Sequence, residues 1–263
     1  NMRIIYVGHI VGRSGRETLL NNISKLKENY KFDILIANVD NAAHGFGVTP
    51  GICRDLLEKG IGAIISGDHV WNQREIIPFL DECKQIVRPL NYPDNLPGSG
   101  AREIELANGK KILVVEVVGR LFMEAVDCPA QAMDKLLKGY NLGRNIDAIF
   151  VDIHAEATAE KQAFGHYLDG RVSAVIGSHT HVPTSDYRIL PKGTAYQTDA
   201  GMCGDYNGVI GFETEAPIDR LCRRYTGSKL VVLKGEGTLF AGEVTLCING
   251  VLSEMPWRNR AVS

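Results

Sequence analysis

Histidine, aspartate and asparagine side chains directly follow several short apolar runs of this sequence. They are His9 after 3–8, Asp40 and Asn41 after 35–39, Asp68 and His69 after 64–67, His154 after 150–153, and His179 and His181 after 175–178. The runs have the length and composition of buried strands, and open α/β sheets bind ligands outside the carboxyl ends of their strands. One histidine in such a place is most often a hydrogen-bonded loop residue, but five polar strand ends together indicate a common site.

These residue types favour metal chemistry. Imidazole nitrogen and carboxylate oxygen together suit Zn, Fe or Mn better than Mg or Ca. Two such ions, roughly 3.5–4 Å apart, can clamp the oxygens of an in-line phosphoryl displacement, with Asp40 as the natural carboxylate between them. In an extended segment the side chains of His179 and His181 point the same way and can reach adjacent metals. His69, beside Asp68, is a candidate to protonate a leaving oxygen or to bind phosphate.

The elements that must position these residues alternate between strand and helix over the first two thirds of the chain. Apolar runs predict strands at 3–7, 33–38, 61–66, 111–118, 147–153, 172–176, 195–198, 229–233 and 243–248. Amphipathic segments predict helices at 14–30, with Ser14 as N-cap, and at 49–59, 72–83, 130–138 and 155–164. The order predicts an α/β fold with helices covering the strands, and a second sheet accommodates the β-rich last third.

Chain length, composition, net charge and cysteine content indicate the domain organisation and the cellular setting. The 263 residues suit a single domain, 1–263, with a small lobe around 72–110 next to the Pro- and Gly-rich loop 88–100. The composition, 44% hydrophobic and 23% charged with a net charge of −2, is typical of a soluble protein and shows no strong nucleic-acid signal. No apolar run approaches the roughly 20 residues of a membrane span. Six scattered cysteines favour free thiols in the cytoplasm. The sequence leaves a homo-oligomeric state open.

At the clustered residues the sequence resembles the calcineurin-like metallophosphoesterase superfamily, and it is more closely similar to the YmdB-like family of bacterial cyclic-nucleotide phosphodiesterases. The matching segments are GHIVGRSGR (8–16), NVDNAAHGFG (38–47), GDHVWNQRE (67–75), RPLNYPDNLPGSG (88–100), VDIHAEATAEK (151–161), DGRVSAVIGSHTHVPTSD (169–186) and LPKGTAYQTDAGMCGDYNGVIG (190–211). The resemblance implies a two-sheet α/β sandwich with a dinuclear centre of Fe, Mn or Zn. It also implies hydrolysis of a small phosphodiester, with 2′,3′-cyclic nucleotides foremost.

The resemblance implies a role for each clustered residue. One metal would be held by His9, Asp40, Asn41 and His181, and the other by Asp40, Asp68, His154 and His179. His69 matches the catalytic histidine. Apart from the resemblance, we expect Asp152 and Asp199 to support the ligands or to cap turns rather than to bind metal. Tyr92 and Phe122 could line a nucleobase pocket, although packing explains them more simply, so the substrate-binding residues are not assigned.

Four matching positions depart from the family pattern. The family has Asp at the position of His9, Glu at that of Asp40, Asn at that of Asp68 and Asp at that of Asn72. Replacing Asp by His removes one negative charge, and replacing Asn by Asp restores it. The ligand set therefore keeps two carboxylates, and we expect the changes at positions 9 and 68 to compensate each other.

Two other functions are compatible with parts of the sequence. The altered ligand positions fit a catalytically impaired family member that binds nucleotide or regulates, and metal analysis beside a phosphodiesterase assay would discriminate it. A dinucleotide-binding oxidoreductase would use Gly8, Gly12 and Gly15 after a strand and Asp40 at the end of the next. However, the glycine spacing is GxxxGxxG rather than GxGxxG, and this function leaves the histidine pair unused. Bound NAD would discriminate it.

Overall fold

The structure is a computed structural model, and it describes residues 1–222 and 227–246. Its strands are β1 (Met2–Val7), β2 (His9–Ile10), β3 (Ile34–Asn38), β4 (Ala63–Ile65), β5 (Ile86–Val87), β6 (Ala101–Glu105), β7 (Lys111–Val118), β8 (Ala148–His154), β9 (Ala174–Ser178), β10 (Arg188–Ile189), β11 (Ala195–Gln197), β12 (Met202–Gly204), β13 (Thr238–Leu239) and β14 (Ala241–Leu246). Its helices are α1 (Gly12–Tyr30), α2 (Pro50–Glu58), α3 (Ile76–Glu82), α4 (Pro129–Leu137), α5 (Thr158–Leu168) and α6 (Glu215–Cys222), and a 3-10 helix spans Asp68–Trp71.

Two large sheets form the centre of the fold. The first has the order β14-β1-β3-β4-β5, in which β1, β3, β4 and β5 run parallel and β14 pairs antiparallel with β1. The second has the order β10-β11-β9-β8-β7-β6, with parallel β7, β8, β9 and β11 between two antiparallel edge strands. Both sheets are buried on two faces, which explains their nearly continuous apolar sequences.

Side chains alternate along the strands between a shared core and two outer cores. Ile4, Tyr6 and Ile36 of the first sheet meet Val114 and Phe150 of the second in the shared core. The opposite face of the first sheet packs against α1, α2 and α3, and that of the second packs against α4 and α5. The fold is therefore the expected two-sheet α/β sandwich, layered helix–sheet–sheet–helix.

Two helix predictions need correction. Helix α1 begins at Gly12, and its N-cap is Val11, whose side chain makes no capping hydrogen bond. Ser14, the predicted N-cap, lies inside the first turn, and its hydroxyl donates to the Gly235 carbonyl at 2.8 Å. A single helix does not span 72–83: the 3-10 helix precedes this stretch and α3 starts only at Ile76. The amide of Gln73 donates to the carbonyl of Phe46 at 2.9 Å, so a tertiary contact holds the intervening turn.

The last third contains fewer long strands than predicted. Residues 229–233 form only an isolated bridge between Val232 and Phe212, and the strand predicted at 243–248 is observed as β14, with 247 and 248 outside the described residues. The small sheet β13-β12-β2, the strands β5, β6 and β10, and helix α6 were not predicted. Residues 72–110, for which a lobe is predicted, include β5 of the first sheet and β6 of the second.

Within the described ranges, every helix is too short or too polar to cross a membrane. The five cysteines that lie in these ranges, Cys53, Cys83, Cys128, Cys203 and Cys222, are free, while Cys247 lies outside them.

Candidate active site

The parallel strands of both central sheets end at one edge of the sandwich, and the predicted site residues lie there. His9 lies in β2, Asp40 and Asn41 follow β3, Asp68 and His69 begin the 3-10 helix after β4, His154 ends β8, and His179 and His181 follow β9. The hydrogen bonds and ion pairs described below connect all eight. The first sheet supplies the aspartates and the second supplies most of the imidazoles, so the site forms only where the two sheets meet.

The proton position on His154 is set by a buried serine and aspartate. The Ser178 hydroxyl donates to Asp152 Oδ1 at 2.6 Å, so it can only accept from His154 Nδ1, 3.2 Å away. His154 Nε2 is then the nitrogen without a proton in the neutral ring, and it lies 3.1 Å from Asp68 Oδ1. Burial lowers the pKa of His154, but the hydrogen bond to Asp68 and the charge of Asp68 outweigh burial and raise it. A proton and a cation therefore compete for Nε2.

His179 presents a lone pair to the same point. Its Nε2 lies 3.0 Å from the Glu156 carboxylate and therefore carries the proton, while its Nδ1 lies 3.1 Å from His154 Nε2. Burial, with a smaller effect of His154, lowers the pKa of His179 to about 4. When His154 is neutral, its Nε2, His179 Nδ1 and the Asp68 carboxylate are all acceptors that face one another, and this first convergence of acceptors is an arrangement that a cation satisfies.

A second convergence of acceptors lies between Asn41 and His181. His181 Nδ1 donates to the Ile210 carbonyl at 2.8 Å, and the Asn41 amide nitrogen donates to the Gly45 carbonyl at 2.8 Å. The remaining atoms, His181 Nε2 and Asn41 Oδ1, are both acceptors and lie 3.0 Å apart. Burial lowers the pKa of His181, so the ring stays neutral and no proton separates the two atoms. This donor set also fits a cation.

His9 differs from the other three imidazoles. Its Nε2 accepts the backbone N–H of His179 at 2.9 Å, so the neutral ring carries its proton on Nδ1. That N–H points to Asn41 Oδ1 at 2.7 Å, with Asp40 Oδ2 at 3.6 Å. Burial, followed by the charges of neighbouring histidines, lowers the pKa of His9 well below its usual range. Metal binding through Nδ1 would require this proton to leave.

Asp40 lies between the two convergences. Its Oδ2 is 3.6 Å from His9 Nδ1 and 4.0 Å from His154 Nε2. His69 engages both carboxylate oxygens, through its backbone N–H to Oδ1 at 2.8 Å and its Nδ1 to Oδ2 at 2.9 Å. Asp40 is 1% exposed, so these groups, rather than water, surround its charge.

His69 is the most accessible imidazole beside Asp40. Its side chain is 29% exposed, and its Nδ1 lies 3.0 Å from Asp68 Oδ1 as well as near Asp40. Burial would lower the pKa of His69, but hydrogen bonds to Asp40 and Asp68 and their charges raise it to about 10. Burial would raise the pKa of Asp68, but hydrogen bonds from His154 and His69 hold it well below its usual range. His69 Nε2 is therefore a protonated donor at neutral pH.

The segment from His179 to His181 is not extended. Both residues have left-handed backbones, with φ of 94° and 65°, so the two imidazoles reach different convergences because the chain turns between them. Thr180 fixes the turn by donating from its N and Oγ1 to Asp199 Oδ2 at 3.0 and 2.8 Å. Asp199 in turn forms a buried ion pair with Lys161 at 2.9 Å. Lys161 was missed, since a lysine in an amphipathic helix usually faces solvent.

Of the two aromatic candidates for a nucleobase pocket, Tyr92 is explained by packing and Phe122 is not. Tyr92 is buried in the core beside the first sheet and stacks on Trp71 with ring centroids 6.1 Å apart. Phe122 is 89% exposed with a left-handed backbone at φ 62°. Asp152 and Asp199 contact other side chains as predicted for supporting residues: Asp152 accepts from Ser178 and Tyr6, and Asp199 pairs with Lys161.

Known proteins resemble this chain in sequence. A family model described as YmdB-like protein matches residues 5–250. The 2′,3′-cyclic-nucleotide 2′-phosphodiesterase of Bacillus subtilis is 44% identical over 238 residues, which cover 90% of this chain and 89% of that protein. A putative phosphatase/phosphodiesterase of Mycoplasma pneumoniae is 37% identical over 84% of this chain and 80% of its own length.

Solved structures share the fold. The crystal structure of a hypothetical protein from Thermus thermophilus superposes with a TM-score of 0.88 at 38% identity, covering 95% of both chains. That of a novel phosphatase from Mycoplasma pneumoniae superposes with a TM-score of 0.86 at 32% identity, covering all of this chain and 91% of the other. With the family model matched over almost its whole length, this chain belongs to the family of YmdB-like proteins and is a phosphoesterase.

Proposed function

We propose that this chain hydrolyses 2′,3′-cyclic nucleotides at the edge where its two sheets meet. The observation that carries the proposal is the pair of acceptor convergences beside one protonated imidazole, His69. Acceptor-only clusters suit cations, and a nearby N–H donor suits a leaving oxygen. The 44% identical relative from Bacillus subtilis, named for this activity, supports the choice of substrate.

The donor sets support two divalent ions, which we propose to be Fe, Mn or Zn. One would be held by Asp40, Asn41 and His181, with His9 beside it, and the other by Asp40, Asp68, His154 and His179. Mixed nitrogen and oxygen ligands favour these metals over Mg. When bound, the ions would supply positive charge to the phosphate oxygens and acidify water.

His69 has the general-acid role in this proposal. Water attacks phosphorus and releases a proton to solvent, the bond from phosphorus to the 2′ oxygen breaks, and His69 Nε2 gives its proton to that leaving oxygen and is then reprotonated from solvent. The product is a 3′-nucleotide. Asp40 and Asp68 hold His69 in the protonated form and orient its ring, because both accept from Nδ1.

The first test is a substrate and metal screen. We expect turnover of 2′,3′-cyclic nucleotides, and slower turnover of bis-p-nitrophenyl phosphate, after loading with Mn, Fe or Zn, and much less with Mg. Product analysis should find the phosphate on the 3′ oxygen. Absence of turnover with every metal would refute the proposal.

The second test asks whether His69 acts as a general acid or as a metal ligand. The question arises because His69 Nδ1 is as close to Asp40 and Asp68 as the imidazoles of the proposed ligands are. His69→Ala should lower kcat by about 100-fold or more while metal content stays near the wild-type value, because general-acid catalysis contributes roughly 10²–10⁴-fold. The matched control is His166→Ala, because His166 is an exposed histidine of α5, and this variant should change neither kcat nor metal content. Loss of metal from His69→Ala would make His69 a ligand instead.

One observation favours a second candidate, a nucleotide-binding protein with little turnover. His9 presents a proton rather than a lone pair to the second convergence, at Asn41 and His181, which weakens metal binding there. Tight binding of 3′-nucleotide without turnover, under all metal conditions, would support this candidate.

A further inference from the structure

An aromatic ring stands beside His69 on the loop that carries the proposed ligands. Phe46 lies in the segment that follows β3, and a compact set of backbone hydrogen bonds fixes this segment: Phe46 N to Ala43 O at 3.0 Å, Ala43 N to Gly47 O at 2.8 Å and Gly47 N to Asp40 O at 2.5 Å. Gln73 also donates to the Phe46 carbonyl. The ring therefore holds a fixed position relative to Asp40.

The Phe46 ring belongs to none of the three hydrophobic cores. It meets the His69 ring edge-on, with centroids 5.3 Å apart and planes at 61°. It also contacts Phe212, with centroids 5.8 Å apart, and Phe212 is 4% exposed. The buried Phe212 thus packs against the Phe46 ring, while Phe46 itself is partly exposed. Core packing therefore does not explain an aromatic residue at this position.

Two apolar side chains next to His181 are exposed. Val182, which follows His181 in the chain, and Ile210, which is bonded to it through its carbonyl, are 55% and 44% exposed. The Ile210 carbonyl accepts from His181, and a tight turn joins Ile210 to Phe212. Apolar side chains exposed beside a cluster of histidines and aspartates would not help to bind inorganic phosphate. They would shelter an apolar, planar part of a larger phosphoester.

We propose that Phe46 is the platform on which the base of the nucleotide stacks, an inference that rests on the proposed function. With the leaving 2′ oxygen at His69, the ribose and its base extend outward past the ring that lies next to His69. Stacking on one aromatic face accepts any base, because every base has a π-face. The site therefore selects cyclic phosphates that carry a base, with purines preferred over pyrimidines and little discrimination within each class.

The kinetic test compares a substrate with a base and one without. Glycerol 1,2-cyclic phosphate has the same five-membered cyclic ester as 2′,3′-cyclic AMP and lacks the base. Phe46→Leu should lower the ratio of kcat/KM for 2′,3′-cyclic AMP to that for the glycerol ester about tenfold, mainly by raising KM for 2′,3′-cyclic AMP. A tenfold loss lies within the energy range of stacking a single base. Phe46→Trp should keep or raise the wild-type ratio.

Phe32→Leu is the matched control. Phe32 is also partly exposed, but it packs against a core at the opposite end of β3, so its replacement should leave the ratio unchanged. An equal loss on both substrates in Phe46→Leu would show that Phe46 positions His69 and does not bind the base. An unchanged ratio would also overturn the proposal.

A binding test works whether or not the protein turns over. Isothermal titration of the metal-loaded protein should give a Kd for 3′-AMP at least tenfold below that for inorganic phosphate, and Phe46→Leu should raise only the former. Equal Kd values for the two ligands in the wild type would refute the base platform. Tight 3′-AMP binding without any hydrolysis would instead refute the proposed function and leave the platform standing.

Discussion

Proton positions distinguish the four clustered imidazoles at the scale of single residues. In their neutral forms, His154, His179 and His181 each donate a hydrogen bond from one ring nitrogen, to a serine, a carboxylate and a carbonyl respectively. The other ring nitrogen of each faces the site. His9 does the reverse, because the backbone N–H of His179 occupies its Nε2. Where the family resemblance implies a carboxylate, His9 therefore brings a hydrogen-bond donor toward Asp40 rather than a negative charge.

The altered residues at positions 9 and 68 should act together. His9→Asp alone adds a third carboxylate near Asp40, and Asp68→Asn alone leaves only Asp40. Both positions lie against Asp40 and His154, so their effects should not be additive. We expect each single variant to lose more metal occupancy or activity than the double variant, which again has two carboxylates.

Metal analysis and kinetics on the three variants decide this prediction. The coupling free energy should favour the double variant by about 1 kcal/mol or more, within the usual range for residues that share neighbours. Additive losses, with the double variant worst, would contradict compensation and favour a degenerate site.

At the scale of elements, adjacent strands orient the ligands through buried polar contacts. Asp152 and His154 lie two residues apart on β8 and so face the same side, toward the first sheet. Ser178, the last residue of β9, connects them, and Tyr6 of β1 donates to Asp152 from the opposite sheet. This chain of contacts fixes which nitrogen of His154 faces the site.

Removing the serine should weaken metal binding. In Ser178→Ala the His154 Nδ1 proton loses its acceptor, and replacing such an orienting partner typically costs 10–100-fold in affinity. We expect the Kd of Mn, measured by competition with a chelator, to rise by about tenfold. Ser173→Ala is the matched control, because Ser173 is also buried and bonds to Ile149 N at 3.0 Å, before the start of β9. An unchanged Kd in Ser178→Ala would show that the serine does not orient His154.

At the scale of the whole molecule, the site spans the boundary between the sheets. Asp40 and Asp68 follow strands of the first sheet, whereas His154 and His179 belong to or follow strands of the second. The sheets are otherwise joined mainly by the apolar core between them, in which the ring centroids of Tyr6 and Phe150 lie 5.1 Å apart. A cation held by residues from both sheets would link the two layers.

Metal should therefore raise thermal stability. A ligand present at 100 times its Kd adds about 2.7 kcal/mol to the free energy of unfolding if it binds only the folded state. For a domain of this size that is roughly 5–10 °C in Tm. Differential scanning calorimetry with Mn and with EDTA measures this difference in Tm, and His154→Ala should abolish most of it. Equal Tm values in the two buffers would argue against a metal that joins the sheets.

Most strands of the two large sheets and the polar residues at their carboxyl ends were predicted from the sequence, whereas the short strands β5 and β10 and the edge strand β6 were not. Buried parallel strands need continuous apolar runs, which are visible locally, and their carboxyl ends meet by topology, so the clustering of His9, Asp40, Asp68, His154 and His179 could be predicted. The family resemblance supplied the pairing into two ligand sets, the catalytic histidine and the substrate class.

How those residues are held, and which atoms they turn toward the site, depends on contacts between segments that are remote in the chain. The left-handed turn at His179 depends on Lys161 and Asp199, which are 38 residues apart, and the proton on His9 depends on a backbone group 170 residues away. Ser14 in the first turn of α1 and Gln73 in the turn before α3 are likewise bonded to distant segments. Periodicity and composition report the local chain, whereas a hydrogen bond between remote segments exists only after the sheets have packed.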